Sequence, residues 1–241
     1  RVRGRIEAVL DAAKAAGYRS GENPARWRGH LSLLLPKRQK LRRGHHPAMP
    51  YKDVPAFVAR LRAAPGMGAR ALEFLILTAA RSGEVRGATW AEIDLDGKVW
   101  TVPGQRMKGG KAHRVPLTDR ALEILAEVAI LRPKDDDGSA LVFPSTKPGK
   151  PLSDMTLTVV MRRLGAGAYT VHGFRSSFRD WAGDVTSFPR EVAEAALAHV
   201  VQGVEGAYRR SDAFEKRRQL MTAWANFLHV DPAGNVVVLR R

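Results

Sequence analysis

Six polar residues set in apolar surroundings are of the types that handle a phosphate: Arg81, Lys108, His172, Arg175, His199 and Tyr208. All but the tyrosine are cationic or near-cationic. An arginine presents a planar fork of donors that matches phosphate oxygens, and two such forks neutralise the charge that builds on a pentacoordinate phosphorane. Such a set calls for no metal. His172 and Arg175 are spaced i, i+3, which on a helix gives them one face, and Gly173 between them allows a backbone to approach closely. Tyr208 is the candidate nucleophile. With a phenol pKa of about 10, only ~0.1% is phenolate at neutral pH, so a base or cation has to assist it. His172, with Arg175 beside it, is placed to do so.

Taken singly, each of these residues has an ordinary reading. Arg81 caps the last carbonyls of a helix, His172 is a satisfied core histidine, and Tyr208 is a packed or surface tyrosine. Only the set argues for chemistry. Other apparent motifs fall away on inspection. Gly104 through Lys111 imitates a phosphate-binding loop, but Gly110 stands where that pattern needs Lys, and a hairpin replaces the helix that should follow. Asp135, Asp136 and Asp137 before Gly138 read as a solvated loop rather than a divalent-metal site. His45 and His46 are adjacent without Cys or a second spaced pair, so DNA-backbone contact is favoured over zinc.

Several elements must hold these side chains. Val2 to Ala16, with Ile6, Val9 and Leu10 apolar, reads as an amphipathic helix ending near Gly17. Asn23 to Pro50 is rich in Pro, Gly, Arg, Lys and His and reads as a basic linker. Val54, Phe57, Val58 and Leu61 repeat at helical spacing. Ala69 to Ala80 is apolar almost all round, which predicts a central buried helix with Arg81 at its end. From Ile93 to Leu117, alternation around Gly109-Gly110 predicts a small antiparallel sheet. Thr118 is read as the N-cap of a helix carrying Leu122, Leu125 and Val128, and Ser153 as the cap of one carrying Leu157, Val160, Met161 and Leu164. Helices resume near Val171 and Pro189. A last one places Leu220, Met221, Trp224, Phe227 and Leu228 on one stripe, and Val236 to Leu239 could add a strand. The fold class is therefore α+β, mainly α, with one small sheet.

Composition narrows the partner. The 241 residues carry 40 Lys plus Arg against 24 Asp plus Glu, a formal charge of +16, with 44% hydrophobic residues. The hydrophobic share is enough for a folded core, and the charge asks for a polyanion, nucleic acid before an anionic membrane surface. The longest apolar stretch, Phe74 to Ala80 broken only by Thr78, is too short to span a bilayer, and a soluble intracellular protein is expected. With no cysteine, disulfides, thiolate zinc sites and cysteine nucleophiles are excluded. The chain opens on Arg1 within a helical pattern, which suggests a piece of a longer protein.

Five motifs occur in order: TAARSGEVRGATW (Thr78 to Trp90), MKGGKAHRVPLT (Met107 to Thr118), HGFR (His172 to Arg175), LAH (Leu197 to His199) and AYRRSDAFEKRR (Ala207 to Arg218). From roughly Ile6 to Val230 the chain resembles the tyrosine recombinase (phage integrase) family, above all the integrases of prophages and genomic islands. The resemblance implies that Tyr208 attacks a scissile phosphate, forming a 3′-phosphotyrosyl bond and releasing a 5′-hydroxyl that later attacks the partner strand, with no ATP, metal or other cofactor. It implies that Arg81 and Arg175 clamp the non-bridging oxygens, Lys108 protonates the leaving 5′ oxygen, His172 accepts or holds the nucleophile's proton, His199 adds a phosphate hydrogen bond, and Glu84 orients its neighbours. Lys111, three positions after Lys108, is the rival general acid.

The same resemblance implies double-stranded attachment-site DNA as partner, a synaptic tetramer on that DNA, accessory DNA-bending or excision proteins, and a bacterial cytoplasmic, nucleoid-associated location. Free in solution, a monomer is expected. The domain plan is a core-binding remnant at 1–22, a basic linker at 23–50, a catalytic domain at 51–230 and a tail at 231–241, with Trp224 and Phe227 either in the core or docked on a neighbour. Two other functions stay open: a type IB topoisomerase-like relaxation of DNA, and a non-catalytic DNA-binding regulator derived from an integrase. A basic RNA-binding protein finds no recognisable motif.

Overall fold

The structure, a computed structural model, describes residues 2–35, 47–107, 109–199 and 213–229. It divides into two units, Arg1–Gly44 and His45–Arg241. In the first, helix α1 (Val2–Ala15) is followed by a chain that turns back along it. Asn23, only 4% exposed, fixes this return: its side-chain amide donates to the Glu7 carbonyl (2.8 Å) and to Asp11 (2.7 Å), while its Oδ1 accepts from the Ala25 N–H (2.9 Å). Arg3 closes the far side with bonds to Glu7 and the Ala25 carbonyl and lies over the Trp27 ring. Residues 23–35 are thus folded on α1, and they end in the short turns Trp27–Leu31 and Ser32–Leu34. Composition alone suggests a linker there, because one Asn with three bonds leaves no periodic trace.

In the second unit the hydrophobic pattern does most of the work. Helix α2 (Val54–Ala63) buries Val54, Phe57, Val58 and Leu61, the i, i+3, i+4, i+7 stripe. Helix α3 (Met67–Thr78) buries every residue from Ala71 onward and is the centre on which α2 packs. It ends at Ala79, whose left-handed φ of 49° turns the chain into the short α4 (Ser82–Arg86). Glu73, fully buried in α3, is held by Arg62 (2.7 Å) and Arg120 (2.8 and 3.0 Å). Burial alone would raise its carboxyl, but the hydrogen bonds from Arg120 and Arg62 outweigh that and hold it below the usual range. A carboxylate so placed is tolerated because both oxygens are paired.

The sheet is β1 (Ile93–Asp94), β2 (Val99–Val102) and β3 (His113–Pro116), in that order and antiparallel throughout. Trp100 opposes Val115 and Val102 opposes His113, so the inward face carries Trp100, Val102 and Val115 while Thr101 is exposed. The β2–β3 connection has a narrow neck. A Cβ on Gly104 would lie 2.4 Å from the Gly110 carbonyl oxygen, so the glycines that imitate a phosphate loop serve the close approach of two backbones.

Helices α5 (Asp119–Ala129), α6 (Thr156–Arg163), α7 (Gly173–Val185), α8 (Arg190–Ala196) and α9 (Phe214–Leu228) complete the unit, with α5, α6 and α9 also against α3. Trp224 of α9 is fully buried and donates its indole N–H to the Ile76 carbonyl (2.9 Å), within an aromatic cluster of Phe178, Trp181 and Phe227. Two expected caps differ in detail. Thr118 stands at the N-cap of α5, but its buried hydroxyl makes no cap bond and has no partner among the described residues. Ser153 precedes α6 by a turn, its hydroxyl meeting that of Thr156 (3.1 Å), and Met155 occupies the cap position. Residues 47–50, read from sequence as linker, belong to this unit: Met49 is in the core and its carbonyl accepts from Ser177 (2.5 Å). The strand suggested at Val236 to Leu239 lies outside the described residues.

Candidate functional site

The site is assembled where α3, α7 and α8 meet. Arg175 sits in the first turn of α7 at 5% exposure. One of its terminal nitrogens donates to the Ala79 carbonyl at the end of α3. The other donates to the Leu197 carbonyl just after α8 (2.5 Å) and faces His199 Nε2 at 3.3 Å. Its Nε is buried and unpartnered among the described residues. Burial first, and then the like charge of Arg81, draw this guanidinium down to about 10. It remains charged at neutral pH, and the groups it touches are uncharged carbonyls and an imidazole.

Arg81 reaches the same carbonyl from the other side, with Nη2 3.5 Å from Leu197 O. Its geometry is set by Glu84, three residues on in α4. One Glu84 oxygen accepts from the Arg81 main-chain N–H (2.9 Å), as in the N3 half of a capping box, and the other from Arg81 Nη1 (2.7 Å). Glu84, 5% exposed, therefore orients Arg81 through backbone and side chain together. Arg81 itself begins α4, rather than closing α3 as its ordinary reading had it.

His172 occupies the N-cap position of α7, and the Arg175 N–H donates to its carbonyl at 3.1 Å, but His172 is exposed while Arg175 is buried, so the two do not present one common buried face. The close approach expected at Gly173 is real and is made by the chain itself: a Cβ there would lie 2.5 Å from Pro47 O and 2.8 Å from Ala48 Cα. His199 ends the described stretch after α8, with Nδ1 2.6 Å from Glu194. Lys108 and Tyr208 lie outside the described residues. Lys111 is exposed on the hairpin. The structure thus brings together Arg81, Glu84, Arg175 and His199 around one carbonyl.

Two guanidiniums converging on a single neutral oxygen, with an imidazole alongside, form a place for an anion with several oxygens. The phage integrase family model matches residues 49–213, which takes in all of these elements. This chain belongs to the phage integrase family. It is 36% identical over 205 residues to the prophage integrase IntA of Escherichia coli K12, covering 83% of this chain and 48% of that one. The integrase chain therefore spans about half the length of that curated relative. Among solved structures its fold is similar to the integrase from mycobacterium phage Brujita (TM-score 0.56, 17% identity, 98% of this chain and 72% of that one) and to a lambda integrase tetramer bound to a Holliday junction (TM-score 0.53, 19% identity, 88% and 58%).

Three residues around these groups were not singled out by sequence reasoning. Arg106, at the base of the hairpin, donates to the carbonyls of Glu84 and Gly87 and pairs with Glu92 (2.7 Å), tying the hairpin to the Arg81 turn. His113 of β3 is pushed down to about 4, first by burial and then by the charge of Arg217, against the pull of Glu84 and the Ala196 carbonyl. Its alternation with Val115 was the available clue to its inward direction. Glu194 holds His199 and also accepts from Arg179 (2.6 Å). Asp136, from the run of three aspartates, turns inward to bond Arg132 (2.7 Å) and the Ala140 N–H (2.8 Å), a structural use of a carboxylate first read as solvated.

Proposed function

We propose that this integrase chain is the DNA-cleaving part of a site-specific tyrosine recombinase, which cuts and rejoins strands through Tyr208. The observation that carries this is the convergence of Arg81 and Arg175 on the Leu197 carbonyl, with His199 beside them. A scissile phosphate placed there exchanges one neutral acceptor for charged oxygens and relieves the repulsion between two guanidiniums. Arg81 and Arg175 then hold the non-bridging oxygens, and His199 adds a hydrogen bond. Tyr208 Oη attacks phosphorus as His172 takes its proton, and the P–O5′ bond breaks as Lys108, or in its place Lys111, protonates the leaving oxygen. The 3′-phosphotyrosyl link conserves the bond energy for rejoining to a partner 5′-hydroxyl, so neither ATP nor a metal is needed in this reading.

The assignment extends to the partners. Double-stranded attachment DNA supplies the polyanion that +16 calls for, and the likeness to a lambda integrase tetramer on a Holliday junction supports assembly of four protomers on paired sites. Accessory DNA-bending and excision proteins, a bacterial cytoplasmic location at the nucleoid, and catalysis by residues 51–230 complete the proposal. No described helix is long and apolar enough to cross a membrane. The test is a nicked suicide duplex carrying candidate attachment DNA, incubated with the protein and with Tyr208→Phe. A denaturant-resistant protein–DNA band that Tyr208→Phe abolishes is the expected result. DNA binding with no such band on any duplex would favour a regulator that binds without cutting.

A further inference from the structure

The short helix α4 (Ser82–Arg86) follows directly on Arg81, and Arg106 of the β2–β3 hairpin holds its carbonyl end. A helix this short does not stand by itself in water, so whatever holds one end also steadies the other. One terminal nitrogen of Arg106 donates to the Glu84 carbonyl and the other to the Gly87 carbonyl. The nitrogen on Gly87 also pairs with Glu92 at 2.7 Å, and Glu92 takes the indole N–H of the fully buried Trp100 at 2.9 Å. The guanidinium thus joins α4 to the turn before β1 and, through Glu92, to the inward face of β2.

This link has a different part of the reaction on each side. Glu84, whose carbonyl Arg106 holds, fixes Arg81 with its carboxylate at 2.9 and 2.7 Å. In the other direction, Lys108 is the second residue after Arg106. The main chain around Arg106 is itself closed. Its N–H donates to the Pro103 carbonyl at 3.0 Å, the Met107 N–H to the Gly104 carbonyl at 3.0 Å, and the Gly110 N–H to the Met107 carbonyl at 3.1 Å. Met107 packs against the core. A lysine amine on its flexible stem can be aimed only from a fixed backbone, and a proton donor has to come within hydrogen-bond reach of the oxygen it protonates.

We propose that Arg106 is a positioning residue of the integrase site, which fixes the hairpin against α4 so that the hairpin lysine meets the leaving 5′ oxygen of the same phosphate that Arg81 holds. This rests on the phosphate-transfer reading above, in which Lys108, or in its place Lys111, supplies that proton. Arg106 touches no reacting atom. It also caps α4, as basic side chains do at helix ends. The two roles differ in which step suffers when the residue is lost: a cap alone serves Arg81 and the phosphate, whereas the link serves the leaving group.

The test uses two suicide duplexes, one ordinary and one with sulfur in place of the bridging 5′ oxygen at the scissile phosphate. On the second, the Tyr208 Oη–P bond forms, the P–S bond breaks and the electron pair leaves on sulfur. With a thiol pKa of about 8.5, that thiolate departs without a proton donor. Arg106→Ala is expected to slow single-turnover adduct formation on the ordinary duplex by about ten- to a hundredfold, part of the roughly hundredfold or more that a positioned acid contributes. On the sulfur duplex the same variant should come within about threefold of the unmutated protein. Arg175→Ala, which loses a phosphate clamp, is expected to stay slow on both. Arg106→Lys keeps a charge for Glu92 but has no fork for two carbonyls. It is expected to show the same selective loss, and it decides the question if Arg106→Ala does not fold. An unchanged rate on the ordinary duplex, or an equal loss on both, overturns the proposal alone. No adduct from the unmutated protein on either duplex overturns the recombinase reading and the proposal with it.

Discussion

Arg175 works by its shape as much as by its charge. Its guanidinium spans two carbonyls on different elements and an imidazole, and a lysine ammonium has no flat fork with which to do that. Arg175→Lys is therefore expected to slow adduct formation a hundredfold or more, on the order of 3 kcal/mol of transition-state stabilisation. Gel-shift affinity should change little, and a near-normal single-turnover rate would contradict this. His113 makes a separate prediction about pH. Its folded value of about 4 lies below the ordinary 6.5. Between those values the unfolded chain binds a proton that the folded chain refuses. Stability is thus complete above about pH 6.5 and is lost as pH falls toward 4, by up to about 3 kcal/mol. Urea midpoints at pH 7 and pH 5 should fall less for His113→Gln than for the unmutated protein, and parallel falls would refute the assignment.

The start of α7 is where packing and function are hardest to separate. Gly173 has backbone on the side where a Cβ would go, in Pro47 and Ala48, so Gly173→Ala has to move the main chain beside Arg175. A loss of about 1–3 kcal/mol is expected from chemical denaturation. Gly183→Ala, in the same helix with open space around it, should be neutral or slightly stabilising. Elements of this kind were legible from sequence where one face is apolar: the stripe of α2, the all-round burial of α3 and the alternation of β2 and β3 each appear as a period. The candidate site was legible as residue types in order, which is how Arg81, Arg175 and His199 were singled out, while Glu84 came only from the family resemblance. Hidden were the groups whose role is set by a partner far along the chain. Met49 reaches the core from an irregular segment, and Asn23 folds its unit with three bonds. Arg106, His113 and Glu194 acquire meaning only once the hairpin, α4 and α8 have been brought side by side.

Across the chain, positive charge is sorted into two kinds. Arg62, Arg120, Arg106 and Arg179 are each matched by a carboxylate and fasten neighbouring elements to one another. Such pairs cancel, so the formal excess of +16 is what a polyanion would meet. DNA binding should therefore weaken steeply with salt, with log K falling against log salt more sharply than about −3, because each neutralised phosphate contributes about −0.9. A titration from low to physiological salt measures that slope, and a flat one would exclude backbone-driven binding.

The hydrogen-bond partners of Arg175 bear on any measurement of this protein's stability. Among the described residues this buried cation is hydrogen-bonded to two carbonyls and an imidazole and to no carboxylate, and unfolding returns it to water. A multivalent oxyanion that binds there favours the folded form by mass action and leaves the unfolded form untouched. Phosphate or sulfate in a buffer is then a ligand rather than a background salt, and melting temperatures taken in phosphate and in chloride would describe two different equilibria.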